Sequence, residues 1–367
     1  MKDKFLKDQQ RKLAIGAIDR RQFISSAMAA GVVLPTAMTM ATQAFAGGHA
    51  SIGGHVKIAL GHGSTTDTLD PATFENGWSN MVGYMIRNHL TEVGSDGQLR
   101  GELAESYESS DGKTWIFHLR KGVEFHNGKS LTQDDVIASL QHHMGEDSQS
   151  AAKGLLTAVE SMSKEGSNSV KIVLKSPNAD FPFIVSDYHL AICPESGGKI
   201  TPEDGIGTGY MVLDRFDPGV VGTGTRNPNW WKPEGYFESA EVLSIIDPTA
   251  RQTAVMNGDV HIIDRLAPNT VALMSKNPNL NIQQVTGTLH YTFPMRLNVE
   301  PFDNYDLRMA LKLAIKRQEL VDKILLGYGA LGNDHPISTA NRFHASDLPQ
   351  REFDPEKAAE LLAGVLC

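Results

Sequence analysis

Cysteine is almost missing from this 367-residue chain: Cys193 and Cys367 are the only two. They lie far apart without CxxC spacing, which argues against a zinc ribbon or a disulfide scaffold and leaves at most one bridge, which the spacing does not favour. Clustered positive charge is scarce too. The net charge is -9, and after the first residues no stripe of Lys and Arg appears, which excludes binding along a phosphate backbone and with it a nucleic-acid partner. No internal repeat or low-complexity segment is visible, and beyond the N-terminal region no apolar run approaches a membrane span. What is present is 41% hydrophobic and 21% charged, the balance of a soluble globular chain able to bury one large core or two.

The N-terminus is read as an export signal over residues 1–46. Lys2, Lys4, Lys7, Arg11 and Lys12 form a cationic head, and an Ala-rich apolar run ends at the small residues Ala44, Ala46 and Gly47. Ser25, Ser26, Pro35, Thr36, Thr39 and Thr42 interrupt that run, so it suits removal better than permanent anchoring. The pair Arg20 and Arg21, followed by Phe23 and Ile24, resembles a twin-arginine export signal. The expected location is the periplasm.

From Gly54 onward the text is mixed α and β. HVKIAL (55–60), VKIVLK (170–175) and VLSIID (242–247) read as strands, and Trp78, Met81, Met85 and Leu90 mark a helix within 75–91. A helix through Arg251 to Asn257 is stopped by Gly258. Leu307, Ala310, Leu311, Ala314, Ile315, Val321, Ile324 and Leu325 predict one helix over 306–326. A last helix, 355–366, carries an apolar face with no evident partner. Residues 193–209, rich in Pro, Gly and acidic residues, read as a long loop or crossing.

Several patterns invite a catalytic reading, and each has a plainer one. In DGKTWIFHLRKGVEFHNG (111–128) the alternation puts Trp115, Phe117, Leu119, Val123 and Phe125 inside a strand pair. His118, Glu124 and His126 would then share the outer face as a possible N2O metal set, but Arg120 and Lys121 beside them repel a cation and are expected to pair with Glu124. Thr132 with Asp135 is a capping box, which accounts for Asp134 and Asp135 as helix-start charges. Ser150 with Lys153, and Ser161 with Lys164, match the SxxK spacing of serine acyl-enzymes, without a KTG to follow. GIGTGY (205–210) and GTG (222–224) lack the strand-to-helix setting of a dinucleotide loop, and their glycines are expected to serve turns. His142 and His143 have no second ligand pair. No catalytic constellation, metal set or cofactor motif survives, which leaves a ligand-capturing protein and not an enzyme.

LAESY (103–107), SSDGKTWIFHLRKGVEFHNG (109–128) and LTQDDV (131–136) together resemble the signature of family 5 extracellular solute-binding proteins, the peptide and nickel receptors of ABC importers. The similarity continues through GTGY (207–210), where the family usually has Pro before Tyr, and RNPNWW (226–231). It extends through 251–259, PFDN (301–304), 308–314, Arg317, DHPI (334–337) and FDPEKAAELLA (353–363). It spans 55–364, whereas the family's chain normally runs well beyond. The altered ending Gly364 to Cys367 suits a truncation or frameshift, which leaves open a fragment without function.

The resemblance implies a mixed α/β, two-lobed periplasmic binding fold of the large peptide-binder type, with its second lobe incomplete. Lobe I would comprise 51–75 and 206–290, a smaller subdomain 76–205, and partial lobe II 291–367. A monomer would bind di- or oligopeptides between lobes and deliver them to an inner-membrane ABC permease. Nickel or a metal chelate is the alternative ligand on the same fold, and an SxxK acyl-enzyme is the alternative from another class. The ligand-binding residues implied are Thr66, Asp67, Trp78, Tyr210 and Asn298. The plainer roles are turn capping for Thr66 and Asp67, core packing for Trp78 and Tyr210, and a strand-end hydrogen bond for Asn298.

Overall fold

The computed structural model describes residues 20–33, 52–285, 289–335, 337–339, 341 and 343–366, together with Leu6, Gln9, Thr36 and Met38. The chain divides into two compact units at Asp264 and Arg265, earlier than the division expected near 291. Within the segment expected to be an export signal, helix α1 (Arg20–Ala29) is described, with Phe23 and Ala27 buried one turn apart beside Leu6. The cationic residues before it and the cleavage-site residues 44–47 lie outside the described residues. Among the described residues no helix is long and apolar enough to cross a membrane.

The first unit opens with strand β1 (His55–Leu60) and helix α2 (Gly77–Ile86). The helix starts where it does because the Asn76 side chain accepts from the N–H groups of Trp78 and Ser79. Trp78, Val82 and Ile86, one turn apart, form its buried face. Burying each such side chain contributes roughly 1.5–3 kcal/mol.

A second module follows. A short hairpin, β2 (Thr91–Val93) and β3 (Leu99–Gly101), leads to β4 (Ala104–Glu108), β5 (Thr114–Leu119), α3 (Gln133–His142), β6 (Val159–Glu165) and β7 (Ser169–Leu174). The four-stranded sheet has the order β4-β5-β7-β6, all antiparallel. As the alternation predicts, Trp115, Phe117 and Leu119 point into the core, with Val123 and Phe125 beside them. The partners differ from expectation: β5 pairs with β4 and β7, while 123–126 makes only an isolated bridge, Glu124 to Ser130. Flanking strands with their own apolar alternation compete better for β5 than four residues behind a tight turn. The capping box at Thr132 and Asp135 is present.

After α4 (Phe181–Ile184) and the small hairpin β8 (Glu195–Ser196) and β9 (Lys199–Ile200), the chain returns to the first sheet. There β10 (Met211–Asp217), β11 (Val221–Arg226), β12 (Ser239–Ser244), helix α5 (Pro248–Asn257) and β13 (Ile262–Ile263) complete the order β10-β11-β12-β1-β13. β12 begins before the VLSIID window and ends at Ser244. Both neighbours of β1 run parallel to it, in registers Leu60 to Ser244 and Ile58 to Ile262. Helix α2 packs on this sheet, its Trp78 indole N–H donating to the Val242 carbonyl at 3.0 Å. Gly207 and Gly209 serve close packing instead of turning: a Cβ there would stand 2.0 and 2.3 Å from Ile86 backbone atoms. Only Gly205 of that stretch takes a left-handed turn, φ 67°.

The second unit contains α6 (Pro268–Met274), α7 (Tyr305–Leu313), α8 (Arg317–Lys323) and α9 (Pro355–Leu366). The single helix expected over 306–326 is two. Its ladder breaks where outside donors take the carbonyls: the Asp354 N–H bonds Leu313, and the Arg317 guanidinium bonds Lys312 at 3.0 Å. The apolar face of α9 has a partner after all, since Ala358 and Leu362 share an apolar cleft with Leu307, Ala310 and Leu311 of α7.

Candidate functional site

In an open α/β sheet the carboxyl ends of parallel strands converge on one edge, and loops leaving that edge can meet a ligand. Here the ends of β1, β12 and β13 bring together Gly61 to Asp67, Ser244 to Ile246, and Asp264. Two glycines make the approach possible. A Cβ on Gly61 would lie 2.8 Å from the Arg251 guanidinium, and one on Gly63 would lie 2.4 Å from Ser244 Oγ.

The polar groups of this edge organise one another. Asp264 Oδ1 accepts the Gly61 N–H at 2.9 Å and faces Arg251 Nε at 3.4 Å, while Oδ2 stands 3.7 Å from His62 Nε2. Arg251 is 4% exposed and spends its Nη1 on the carbonyls of Ile245 (2.7 Å) and Ile246 (3.1 Å). Asp67 frames the loop above: Oδ2 accepts the Ser64 N–H and Oδ1 the Asn76 amide, each at 2.7 Å. Thr66 Oγ1 lies 2.7 Å from Ser64 Oγ. Val220 and Ile246, both exposed, form an apolar rim beside them. Hydrogen-bonding groups over a fixed ion pair, edged by apolar side chains, can hold a polar backbone and leave room for side chains.

Thr66 and Asp67 belong to this edge. Trp78 does not reach it: the ring is 0% exposed, stacked on Phe216 at 5.5 Å, so it packs the core beneath the loop. Tyr210 precedes β10 at the opposite, amino end of the parallel strands, where its hydroxyl donates to the Phe237 carbonyl and its ring meets Trp230. The sheet's length separates it from Thr66. Asn298 lies exposed in a turn of the second unit, outside any strand among the described residues. Sequence reading missed His62, Ser244 and Asp264 as site residues. The signal was the glycine pair flanking His62 straight after a strand, together with a lone Asp ending HIID.

The metal and acyl-enzyme patterns come apart. His118 bonds Ser169 Oγ at 2.8 Å, Glu124 accepts from Asn229 at 3.1 Å, and His126 turns inward to the Gly209 carbonyl at 3.1 Å. His126 is therefore not on the outer face, and burial pushes its imidazole down. Arg120 donates to the Glu102 carbonyl and covers Trp231, so it does not pair with Glu124. Among the described residues no group of three His, Cys, Asp or Glu could hold a metal. Lys153 donates to the Glu146 carbonyl, and Ser150 Oγ faces His143 at 2.7 Å. Ser161 and Lys164 sit on β6, where a three-residue offset puts them on opposite faces, and Lys164 pairs with Asp134. Cys193 is a buried thiol, pushed up by burial, while Cys367 lies outside the described residues.

A buried ionic joint lies elsewhere in the same unit. Glu102 accepts from the Asn88 amide and the His89 N–H at 2.7 Å and from Lys232 at 2.8 Å, and Lys232 also reaches Glu92. Burial alone would raise the Glu102 carboxyl, but His89 and Lys232 outweigh it and hold it at about 2. Burial, with His142 alongside, pushes His143 down to about 4.

A model of the bacterial extracellular solute-binding proteins, family 5, middle region, matches residues 98–364. Di/tripeptide-binding protein 1 of Pseudomonas aeruginosa (strain UCBPP-PA14) is 26% identical over 329 residues, covering 81% of this chain and 61% of its own. The glutathione-binding protein GsiB of Salmonella choleraesuis (strain SC-B67) is 27% identical over 313 residues, covering 83% and 60%. The chain thus spans about three fifths of the length of these curated relatives. The periplasmic binding protein DppA from Helicobacter pylori, in complex with peptide STSA, matches with a TM-score of 0.74 at 20% identity, covering 86% of this chain and 66% of that one. The fold is that of the mixed α/β, two-lobed periplasmic binding proteins.

Proposed function

The chain belongs to the bacterial extracellular solute-binding proteins of family 5, and from that premise we propose that it captures short peptides for an ABC importer. The observation that carries this reading is the carboxyl edge of β1, β12 and β13. Its groups are hydrogen-bonding and already fixed by the Asp264–Arg251 pair. Such an edge reads a peptide backbone and leaves side chains at the Val220 and Ile246 rim. The relatives named for di/tripeptide and glutathione binding support the same ligand class.

Thr66 and Asp67 are proposed ligand contacts, joined by His62 and Ser244. Trp78 and Tyr210 support the scaffold, and Asn298 is a proposed ligand contact. The working location is the periplasm, reached by a twin-arginine signal, with a monomer handing its ligand to an inner-membrane permease. Isothermal calorimetry with a panel of di- and tripeptides, glutathione and a nickel–histidine chelate tests the ligand. Saturable heat from peptides is expected; heat from the chelate alone would overturn the peptide reading.

A further inference from the structure

The loop between β1 and α2 is held from outside by residues that come much later in the chain. His142, the last residue of α3, places Nε2 at 2.9 and 3.0 Å from the two carboxylate oxygens of Asp70. His189 places Nε2 at 2.9 Å from the Phe74 carbonyl and Nδ1 at 2.7 Å from Asp187. Between these points Leu69 is gripped through both backbone groups: Glu203 accepts its N–H at 3.2 Å, and Arg87 donates to its carbonyl.

These contacts are not plain core filling. His189 is 6% exposed, and its ring spans two polar partners, the Phe74 carbonyl and the Asp187 carboxylate. An apolar residue would occupy that space without satisfying either acceptor. Inside the loop the constraint is passed on. Asp70 accepts the Ala72 N–H at 2.9 Å to start the 71–73 turn, and Thr68 lies 2.8 Å from Thr73 across it. Asn76, two residues beyond Phe74, donates to Asp67, which in turn accepts from Ser64. Fixing Asp70 and Phe74 therefore fixes the frame in which Ser64, Thr66 and Asp67 stand.

We propose that His142 and His189 are positioning residues for ligand capture: the four-stranded module uses them to set the shape of the 64–76 loop at the carboxyl edge of the five-stranded sheet. This rests on the reading that ligand binds at that edge. Neither histidine needs to touch the ligand.

The test combines amide hydrogen exchange over 61–76 of the full chain with calorimetric titration of the di- and tripeptide panel. The variants are His142→Leu, His142→Gln, which keeps an N–H for Asp70, and His189→Leu, which removes the ring contacts to Phe74 and Asp187. His142→Leu is expected to speed exchange over 69–74 and weaken peptide binding, each by about tenfold. Amides of β1 and β12 should keep their rates, and His142→Gln should restore both readouts. Unchanged exchange over 69–74 in both His142→Leu and His189→Leu would overturn the proposal. So would an equal rise through both sheets, which marks general destabilisation. Should His142→Leu not yield folded protein, the His189→Leu exchange pattern decides. Absence of peptide heat with the unsubstituted chain would sink the peptide reading alone, because the exchange pattern judges the loop without a ligand.

Discussion

Asp264 and Gly61 stand 203 positions apart in the chain, yet the Asp264 carboxylate accepts the Gly61 N–H at 2.9 Å. The bond ties the end of β13 to the end of β1, and the same carboxylate faces the buried Arg251. Asp264→Ala should leave that guanidinium without its carboxylate and cost about 2 kcal/mol. Asp264→Asn keeps an acceptor for Gly61 and should cost about half as much. Urea midpoints of the two variants read the difference.

Gly207 rests so close to Ile86 that a methyl group would sit 2.0 Å from its carbonyl oxygen. Gly207→Ala must push the backbone of α2 and the 206–209 loop apart, at a cost of about 3 kcal/mol. Gly154, with no atom within 4 Å of a built Cβ, is the control, and Gly154→Ala should be nearly neutral. Chemical denaturation monitored by tryptophan fluorescence distinguishes them.

Trp78 is wholly buried and donates to Val242, so Trp78→Phe should lower stability by about 1–2 kcal/mol. Peptide affinity of the folded variant should stay within twofold. A tenfold loss of affinity at unchanged fold would return Trp78 to the ligand contacts.

Acid should destabilise the first unit in two windows. Folded His143 titrates at about 4, below its ordinary 6.5, so the unfolded chain takes up the proton first. Its contribution is complete above 6.5 and is lost as pH falls towards 4. Glu102 is held at about 2, below its ordinary 4.5, so its contribution is complete above 4.5 and is lost as pH falls towards 2. Thermal melts from pH 8 to 3 should show the upper window vanish in His143→Asn. Lys232→Met, which strands a buried carboxylate, should cost about 3 kcal/mol at pH 7.

Local pattern was a reliable guide where one element settles its own geometry. The alternation of Trp115, Phe117 and Leu119 named the buried face, Thr132 lies where a helix begins, and Gly258 ends α5. It misled where partners decide. The His118, Glu124 and His126 face assumed a two-strand ribbon, but β5 chose β4 and β7, and His126 turned inward to the 207–209 loop. Periodicity over 306–326 ran across a break that Asp354 and Arg317 impose by taking the carbonyls of Leu313 and Lys312.

The candidate site was half legible. Thr66 and Asp67 sit on the carboxyl edge of the sheet, whereas Trp78 lies beneath it and Tyr210 a sheet's length away. The sequence by itself determined the family and most strand and helix types, because those rest on neighbours within a few residues. Only the tertiary structure decided that Asp264, Arg251 and Gly61 meet, and that His142 and His189 grip Asp70 and Phe74. The reason is physical: a parallel sheet joins strands separated by long crossovers, so its carboxyl edge is assembled from residues that no local spacing relates.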